Sequence, residues 1–117
     1  MKKYFLFIAI ATLCMAFIPQ GEMIKTSLVI TVLDDLGTIQ EGAEVMLFET
    51  ESDYAELKNA IGPEFTNEKG KVRFSDLKAI DYFLQVKKDK KSNLFGGEKT
   101  GKLEDGKYNK VNVIISE

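Results

Sequence analysis

Carboxylates are the side chains of this sequence that could do chemistry, because the chain has 18 acidic residues and no histidine. Two carboxyl groups on either side of a glycosidic bond can hydrolyse it, one as acid and the other as base or nucleophile. A cluster of suitable residues is formed by Glu41, Glu44, Glu49, Glu51 and Asp53. Nothing around these residues indicates a pocket that would hold a sugar between two of them, so we expect a solvated acidic face.

The adjacent pair Asp34-Asp35 raises a second possibility, a calcium ion bound by loop oxygens. Calcium loops place oxygen ligands at alternating positions, and the residues after Asp35 do not follow that pattern. We therefore expect Asp34 and Asp35 to end a strand at a turn that includes Gly37. Histidine, which is absent, is also the commonest general base at neutral pH. The sequence thus predicts a protein that is not an enzyme, with no catalytic residues, no metal and no cofactor.

The beginning of the chain, MKKYFLFIAIATLCMAFIPQG, has the pattern of a secretory signal peptide. Two lysines precede an uncharged, mostly apolar run over residues 4–18, which is shorter than the roughly 20 residues of a membrane-spanning helix. Cys14 and Ala16 put small residues at positions −3 and −1 of a cut after Ala16. We predict that residues 1–21 are a signal peptide and short linker, and that residues 22–117 form one exported domain. Retention as a membrane anchor and a buried N-terminal element are the alternatives.

Lipid attachment at Cys14 is a further possibility for the same segment. Leu13 stands where a bacterial lipidation signal has a small residue, and the apolar run continues beyond Cys14, so we do not expect it. Removal of the segment would leave 14 basic residues against 18 acidic ones, a formal net charge of −4. An acidic exported chain is a poor candidate for binding nucleic acid. We predict a periplasmic, outer-membrane-associated or secreted address, an envelope protein or glycan as partner, and membrane contact only through an uncleaved signal segment.

The rest of the chain reads as short strands separated by turns. Apolar and polar residues alternate with the period of two that is typical of half-buried strands. About seven such segments occur, with turn signals roughly every ten residues, a spacing that favours a β-sandwich over alternating strands and helices. The residues expected to point inward include Leu28, Ile30, Val32, Ala43, Val45, Leu47, Val72, Phe74, Tyr82, Leu84, Val86, Val111, Val113 and Ile115. The segments around Lys87–Lys91 and Gly96-Gly97 are expected to be a hairpin turn and an open loop.

One segment departs from the strand pattern and predicts a short helix near residues 53–61. Tyr54, Leu57 and Ile61 recur at helical spacing, and Asp53 is a candidate N-cap residue with a glutamate three positions later. The dipeptide Gly62-Pro63 should stop this helix. We expect Tyr54 and Leu57 to cover the outward-facing Met46 and Phe48 of the preceding strand, with a disordered loop as the alternative.

The stretch TNEKGKVRFSDL, residues 66–77, completes a motif series. It combines a tight turn ending at Gly70, the alternating pair Val72 and Phe74, and Leu77 at the edge of the core. The series also contains Val32-x-Asp34-x-x-Gly37, Gly42-Ala43-x-Val45 and Tyr82-x-Leu84-x-Val86. Over residues 28–115 it resembles the carboxypeptidase regulatory-like domains. These are transthyretin-like (prealbumin-like) β-sandwiches that are frequent in exported proteins of Gram-negative bacteria.

The resemblance implies an antiparallel Greek-key β-sandwich that serves as an accessory or binding module, and it transfers no catalytic residue. It therefore favours a scaffold role for the stretch over residues 66–77. We predict a non-enzymatic module that binds an envelope protein or glycan. The alternative is a structural or adhesin-like subunit that assembles by edge-strand pairing. An apolar patch on one sheet would favour a protein partner. A groove lined by Tyr54, Tyr82 or Tyr108 would favour a glycan. A long unpaired final strand would favour assembly with other subunits.

Two lysine-containing features suggest other functions. The basic run Lys87–Lys91 could contact acidic polysaccharide or lipid head groups, although a charged hairpin that discourages edge pairing is the simpler explanation. Lys25 could form an isopeptide bond with Asn109 or Asn112, as related pilin-type sandwiches do between their first and last strands. Strand alternation argues against this bond, because Lys25 shares a face with Val29 and Thr31 rather than with the core residues.

Overall fold

The computed structural model describes residues 25–94 and 99–117, and it confirms the predicted all-β sandwich. Two sheets enclose one apolar core, and one short helix lies between the second and third strands. In chain order the elements are β1 (Ser27–Asp34), β2 (Glu44–Phe48), α1 (Glu51–Glu56), β3 (Ile61–Phe65), β4 (Lys71–Phe74), β5 (Asp81–Lys88), β6 (Lys91–Ser92), β7 (Lys99–Lys102) and β8 (Tyr108–Ile115).

The first sheet has the strand order β4-β1-β8, and the second has the order β3-β2-β5-β6, with β7 also paired to β5. Strand β1 is antiparallel to β4 but parallel to β8, which differs from the predicted wholly antiparallel arrangement. The described residues contain eight strands, close to the predicted number of about seven, but β3 and the two-residue β6 lack a clear alternating pattern and were not predicted. Strand β3 reads IGPEF and is mostly exposed, so periodicity did not reveal it.

The core is built from the inward-facing residues that alternation predicts. Strand β1 contributes Leu28, Ile30 and Val32, all fully buried, and β4 contributes Val72 and Phe74. The rest of this core cluster is Ala43, Val45, Leu47, Tyr82, Leu84, Val86, Leu103, Val113 and Ile115, of which Leu103 was not among the predicted residues. Leu77 and Val111 are partly buried against this cluster. Burial of a large apolar side chain stabilises a fold by about 1.5–3 kcal/mol, so this cluster is what holds the sandwich together.

The stretch over residues 66–77 is a corner of the scaffold, as predicted. The hydroxyl of Thr66 is buried, donates to the carbonyl of Gln40 at 2.6 Å and accepts from the N–H of Ala43 at 2.9 Å. The Asn67 side chain accepts from the backbone N–H groups of residues 69 and 71 and so closes the turn. Gly70 has φ +73°, and a Cβ there would lie 3.0 Å from the Cβ of Ile39. The turn therefore needs glycine for both its backbone angle and its contacts.

The predicted helix exists, but its boundaries were wrong. Helix α1 begins after Thr50, whose side chain accepts from the N–H of Asp53, so Thr50 rather than Asp53 is the N-cap residue. Leu57 ends the helix in the left-handed conformation, and Ile61 and the Gly62-Pro63 dipeptide belong to β3 instead of stopping the helix. Thr50 was missed because the acidic residues after it also fit a capping pattern.

Helix α1 covers the outer face of the second sheet. Two residues, Tyr54 and Leu57, were expected to do so, but only Tyr54 does. The Tyr54 ring contacts Phe48 edge to face and stacks on Phe83, with 5.7 Å between centroids in each pair. Phe48 is fully buried as a result, whereas Leu57 is 56% exposed and covers nothing.

Several expectations fall outside the described residues. These are the signal peptide and linker over residues 1–21, the fate of Cys14 and the open loop at Gly96-Gly97. Within residues 25–94 and 99–117 the structure has no helix that is long and apolar enough to cross a membrane.

Candidate functional site

The acidic cluster does not form a paired site. Glu41 precedes β2, Glu44 begins it, and the other three surround the start of α1. Glu49 is 2.8 Å from the Lys78 ammonium, and this hydrogen bond raises the pKa of Lys78. Glu51 and Asp53 lie in the first helical turn, where the helix dipole favours negative charge. Glu49, Glu51 and Asp53 thus have structural roles, and the described contacts do not pair any two of the five carboxylates.

Asp34 organises the turn after β1 instead of forming a calcium loop. Its carboxylate accepts the backbone N–H groups of Leu36 and Thr38, both at 2.9 Å, and the Gln40 amide at 3.2 Å. The Lys91 ammonium lies 3.7 Å away on the other sheet. The Thr38 N–H, followed by the Leu36 N–H and the Lys91 charge, lowers the pKa of Asp34 against the opposing effect of burial. In the described residues no three metal-ligating side chains come together.

The lysines and asparagines considered for an isopeptide bond lie apart. The Lys25 side chain is 70% exposed and lies 4.0 Å from Asp76. Asn109 is held by its own hydrogen bonds, since its amide donates to the carbonyls of residues 27, 104 and 107. Asn112 pairs with Thr31, which is six residues after Lys25, or about 20 Å for an extended chain. The basic run forms the β5–β6 hairpin, with Lys88 paired to Lys91.

The three tyrosines that could have lined a glycan groove occupy three separate places. Tyr54 covers the outer face of the second sheet, and Tyr82 is buried in the core with its hydroxyl accepting from the Lys78 N–H at 2.8 Å. Tyr108 begins β8 on the outer face of the first sheet, where the Arg73 guanidinium lies 5.0 Å from its ring centroid. No common groove is formed by these residues.

The free edge of β8 is the feature that stands out, and we call it the β8 edge. Strand β8 pairs with β1 in an unbroken register of eight residues, and it is the outermost strand of its sheet. Its alternate residues Tyr108, Lys110, Asn112 and Ile114 are exposed. An exposed edge presents unpaired N–H and C=O groups that can accept another strand. Among the described residues, the strand pairing on this side begins only at Ser116, directly after β8, which bridges to Ser92 of β6. Residues 108–115 themselves have no partner on this side among the described strands.

The other three sheet edges are poorer templates for pairing. Strand β4 has only four residues, and β3 contains Pro63, which lacks an N–H group, and a register irregularity against β2. The edge formed by β6 and β7 is split in two. Between them the buried Asn93 side chain donates to the Leu84 carbonyl at 2.9 Å and accepts from the Val86 N–H at 3.0 Å. The Asn93 side chain therefore takes the backbone hydrogen bonds of β5 that a continuous neighbouring strand would otherwise form.

The outer face of the first sheet adjoins the β8 edge. Basic side chains lie toward one end of its strands, and apolar side chains lie at the other end. Lys71 and Arg73 on β4 and Lys110 on β8 are exposed, and within the described residues none of them forms an ion pair. At the other end Leu33 pairs with Ile39 on one side and Ile114 on the other, and these two isoleucines are 48% and 36% exposed. The patch is three side chains wide, so it is a small apolar surface.

Comparison with known proteins yields solved structures only. No protein-family model matches the chain, and no curated protein sequence matches it. The major pilin subunit of Bacillus cereus superposes with a TM-score of 0.51 over 80% of this chain, at 17% sequence identity. The pilus 2b backbone protein of group B streptococcus gives a TM-score of 0.47 over 78% of the chain, also at 17% identity, and adds nothing to the first match.

The pilin likeness concerns the fold alone at this level of identity. This chain spans about 30% of the length of the Bacillus cereus subunit, so the similarity covers one portion of that protein. The fold of the Bacillus cereus subunit agrees with the β-sandwich described above.

Proposed function

We propose that this chain is a non-enzymatic structural subunit of a surface assembly and that the β8 edge is where a neighbouring subunit joins it. The observation that carries the proposal is the contrast between β8, with eight regularly paired residues, and the three other edges, which are short, proline-containing or split. Natural sandwiches blunt the edges that they do not use. The fold likeness to a pilin subunit agrees with a structural role.

Export to the cell surface is part of the proposal, and it rests on the N-terminal sequence pattern. Both structural neighbours are pilins of Gram-positive bacteria, so they lend no support to a periplasmic or outer-membrane address. The transthyretin-like assignment also remains a proposal, supported by the motif around Gly70, which forms the expected turn and places Val72 and Phe74 in the core.

The proposal is tested by sedimentation velocity of the full chain over a range of concentrations. Ile114→Lys puts a charge on the β8 edge, and Ile39→Lys puts the same charge on the same outer face but at its opposite side. Both positions are exposed, so both variants should fold. We expect the parent and Ile39→Lys to associate as concentration rises and Ile114→Lys to stay monomeric.

Three outcomes would contradict the proposal. A parent that is monomeric throughout has no self-assembling edge. Equal loss of association in both variants would assign the contact to the apolar face of the sheet, and equal retention would place it elsewhere on the molecule.

Binding of an anionic envelope glycan is a second candidate function, favoured by the basic side of the same sheet. Lys71, Arg73 and Lys110 concentrate positive charge on a chain with a net charge of −2. A flexible anionic polymer could follow these cations, and the attraction would weaken with salt. Calorimetry with a carboxylated polysaccharide should detect binding that Lys71→Gln/Lys110→Gln abolishes, whereas neutral dextran should not bind. Equal binding of both polymers would count against this function.

A further inference from the structure

The strand best suited to the β8 edge is the β8 strand of a second copy of this chain. This inference rests on the proposed function, and it adds the identity of the partner, the direction of pairing and the register. We infer that two copies pair their β8 strands antiparallel, with the two-fold axis passing beside Val111. The product is a continuous six-stranded sheet in the order β4-β1-β8-β8-β1-β4.

The other edges of a second copy fit poorly against β8. Strand β4 would bring its exposed Lys71 and Arg73 alongside Lys110 on the same outer face, and like charges on neighbouring strands destabilise pairing. Strand β3 lacks the N–H group of Pro63, and the β6–β7 edge is interrupted at Asn93. Only β8 offers a second long and regular edge among the described strands.

Charge also selects the direction of pairing. Parallel pairing in register would place Lys110 beside its own copy. Antiparallel pairing around a two-fold axis is self-complementary, and each register is defined by the residue on the axis. An axis at Lys110 again opposes two lysines, so that register is disfavoured.

An axis at Val111 gives the best pairing of the exposed side chains. Lys110 then faces Asn112 of the second copy, and Tyr108 faces Ile114, each pair occurring twice. Aromatic and β-branched residues are favourable cross-strand partners, so the 55% exposed Tyr108 and 36% exposed Ile114 cover each other. An axis at Asn112 would instead oppose Lys110 and Ile114. It would also pair Tyr108 with Ser116, whose backbone N–H and C=O groups already bond to Ser92 at 3.0 Å.

Disulfide trapping reads out this register directly. Two variants of the full chain are made in a Cys14→Ser background, one with Lys110→Cys and the other with Asn112→Cys. Directly opposite residues in an antiparallel pair have Cβ atoms about 4.5–5.5 Å apart, close to what a disulfide needs. Under mild oxidation at a concentration where the parent associates, we expect the mixture of the two variants to form a covalent dimer and each variant alone to form none.

The competing outcomes separate this inference from the function on which it rests. Cross-linking of Asn112→Cys alone would move the axis to residue 112, and cross-linking of Lys110→Cys alone would move it to residue 110. Either result overturns the register and keeps the β8 edge as the junction. Association without any cross-link in the mixture would overturn the pairing of β8 with its copy around Val111. A parent that never associates would remove the proposed function itself.

Discussion

Replacing Phe74 by alanine should cost a large part of the stability of this domain. Phe74 is 5% exposed, lies between the sheets and is paired with Leu28 on β1. Removing a buried phenylalanine side chain costs about 3–5 kcal/mol, because burial is lost and a cavity remains. A domain of this size has only about 5–15 kcal/mol in total. At roughly 4–8 °C per kcal/mol, the midpoint should fall by at least about 12 °C, or the protein should fail to fold.

Thermal melts followed by circular dichroism provide the assay, with Lys71→Ala as the matched control on the same strand. The Lys71 side chain is exposed and forms no ion pair within the described residues, so its loss should cost no more than about 0.5 kcal/mol. Phe74→Leu should fall between the two because it keeps part of the buried surface. A melting midpoint of Phe74→Ala within about 2 °C of the parent would refute the core position of Phe74 and the scaffold role of residues 66–77.

Three further predictions test the contacts that hold the sandwich together. Asn93→Ala should destabilise the fold by about 1–3 kcal/mol in chemical denaturation, because two buried backbone groups of β5 lose their partners. Tyr54→Ala should lower the midpoint clearly more than Leu57→Ala, since only Tyr54 covers the buried Phe48. The folded state lowers the pKa of Asp34, so its ionised form contributes stability above its ordinary pKa of 3.8 and loses it as pH falls through the folded value. The stability difference between the parent and Asp34→Asn should therefore shrink below about pH 4, and a constant difference would exclude this linkage.

Strand alternation predicted the core because each inward residue lies two positions from the next, and burial follows that period in β1, β4, β5 and β8. The turn at Gly70 was predictable for a related reason, since its backbone angle suits glycine. Strand β3 was not predictable, because its five residues are mostly exposed and contain both glycine and proline. This segment is a strand because it pairs with β2, which lies more than ten residues earlier in the chain, and the sequence of the segment itself does not reveal that pairing.

The candidate site was harder to predict from the sequence than the core was. A final alternating strand was predicted, but its position at the edge depends on which strands pair, and the parallel pairing of β1 with β8 has no local signal. The role of Asn93 was missed for the same reason, because it depends on the gap between β6 and β7. Asp34 and Glu49, two of the charged residues that the sequence offered as candidates, instead have structural contacts, Asp34 within its own turn and Glu49 with Lys78.

Amide hydrogen exchange as a function of protein concentration tests the central claim most directly. If β8 is the junction between subunits, the backbone amides of residues 108–115 that are free in the monomer should become protected as the protein is concentrated. The amides of β3 and β4 should keep their exchange rates over the same range, because those edges stay in contact with solvent. Unchanged exchange in β8 together with new protection in another strand would contradict the account and locate the junction there.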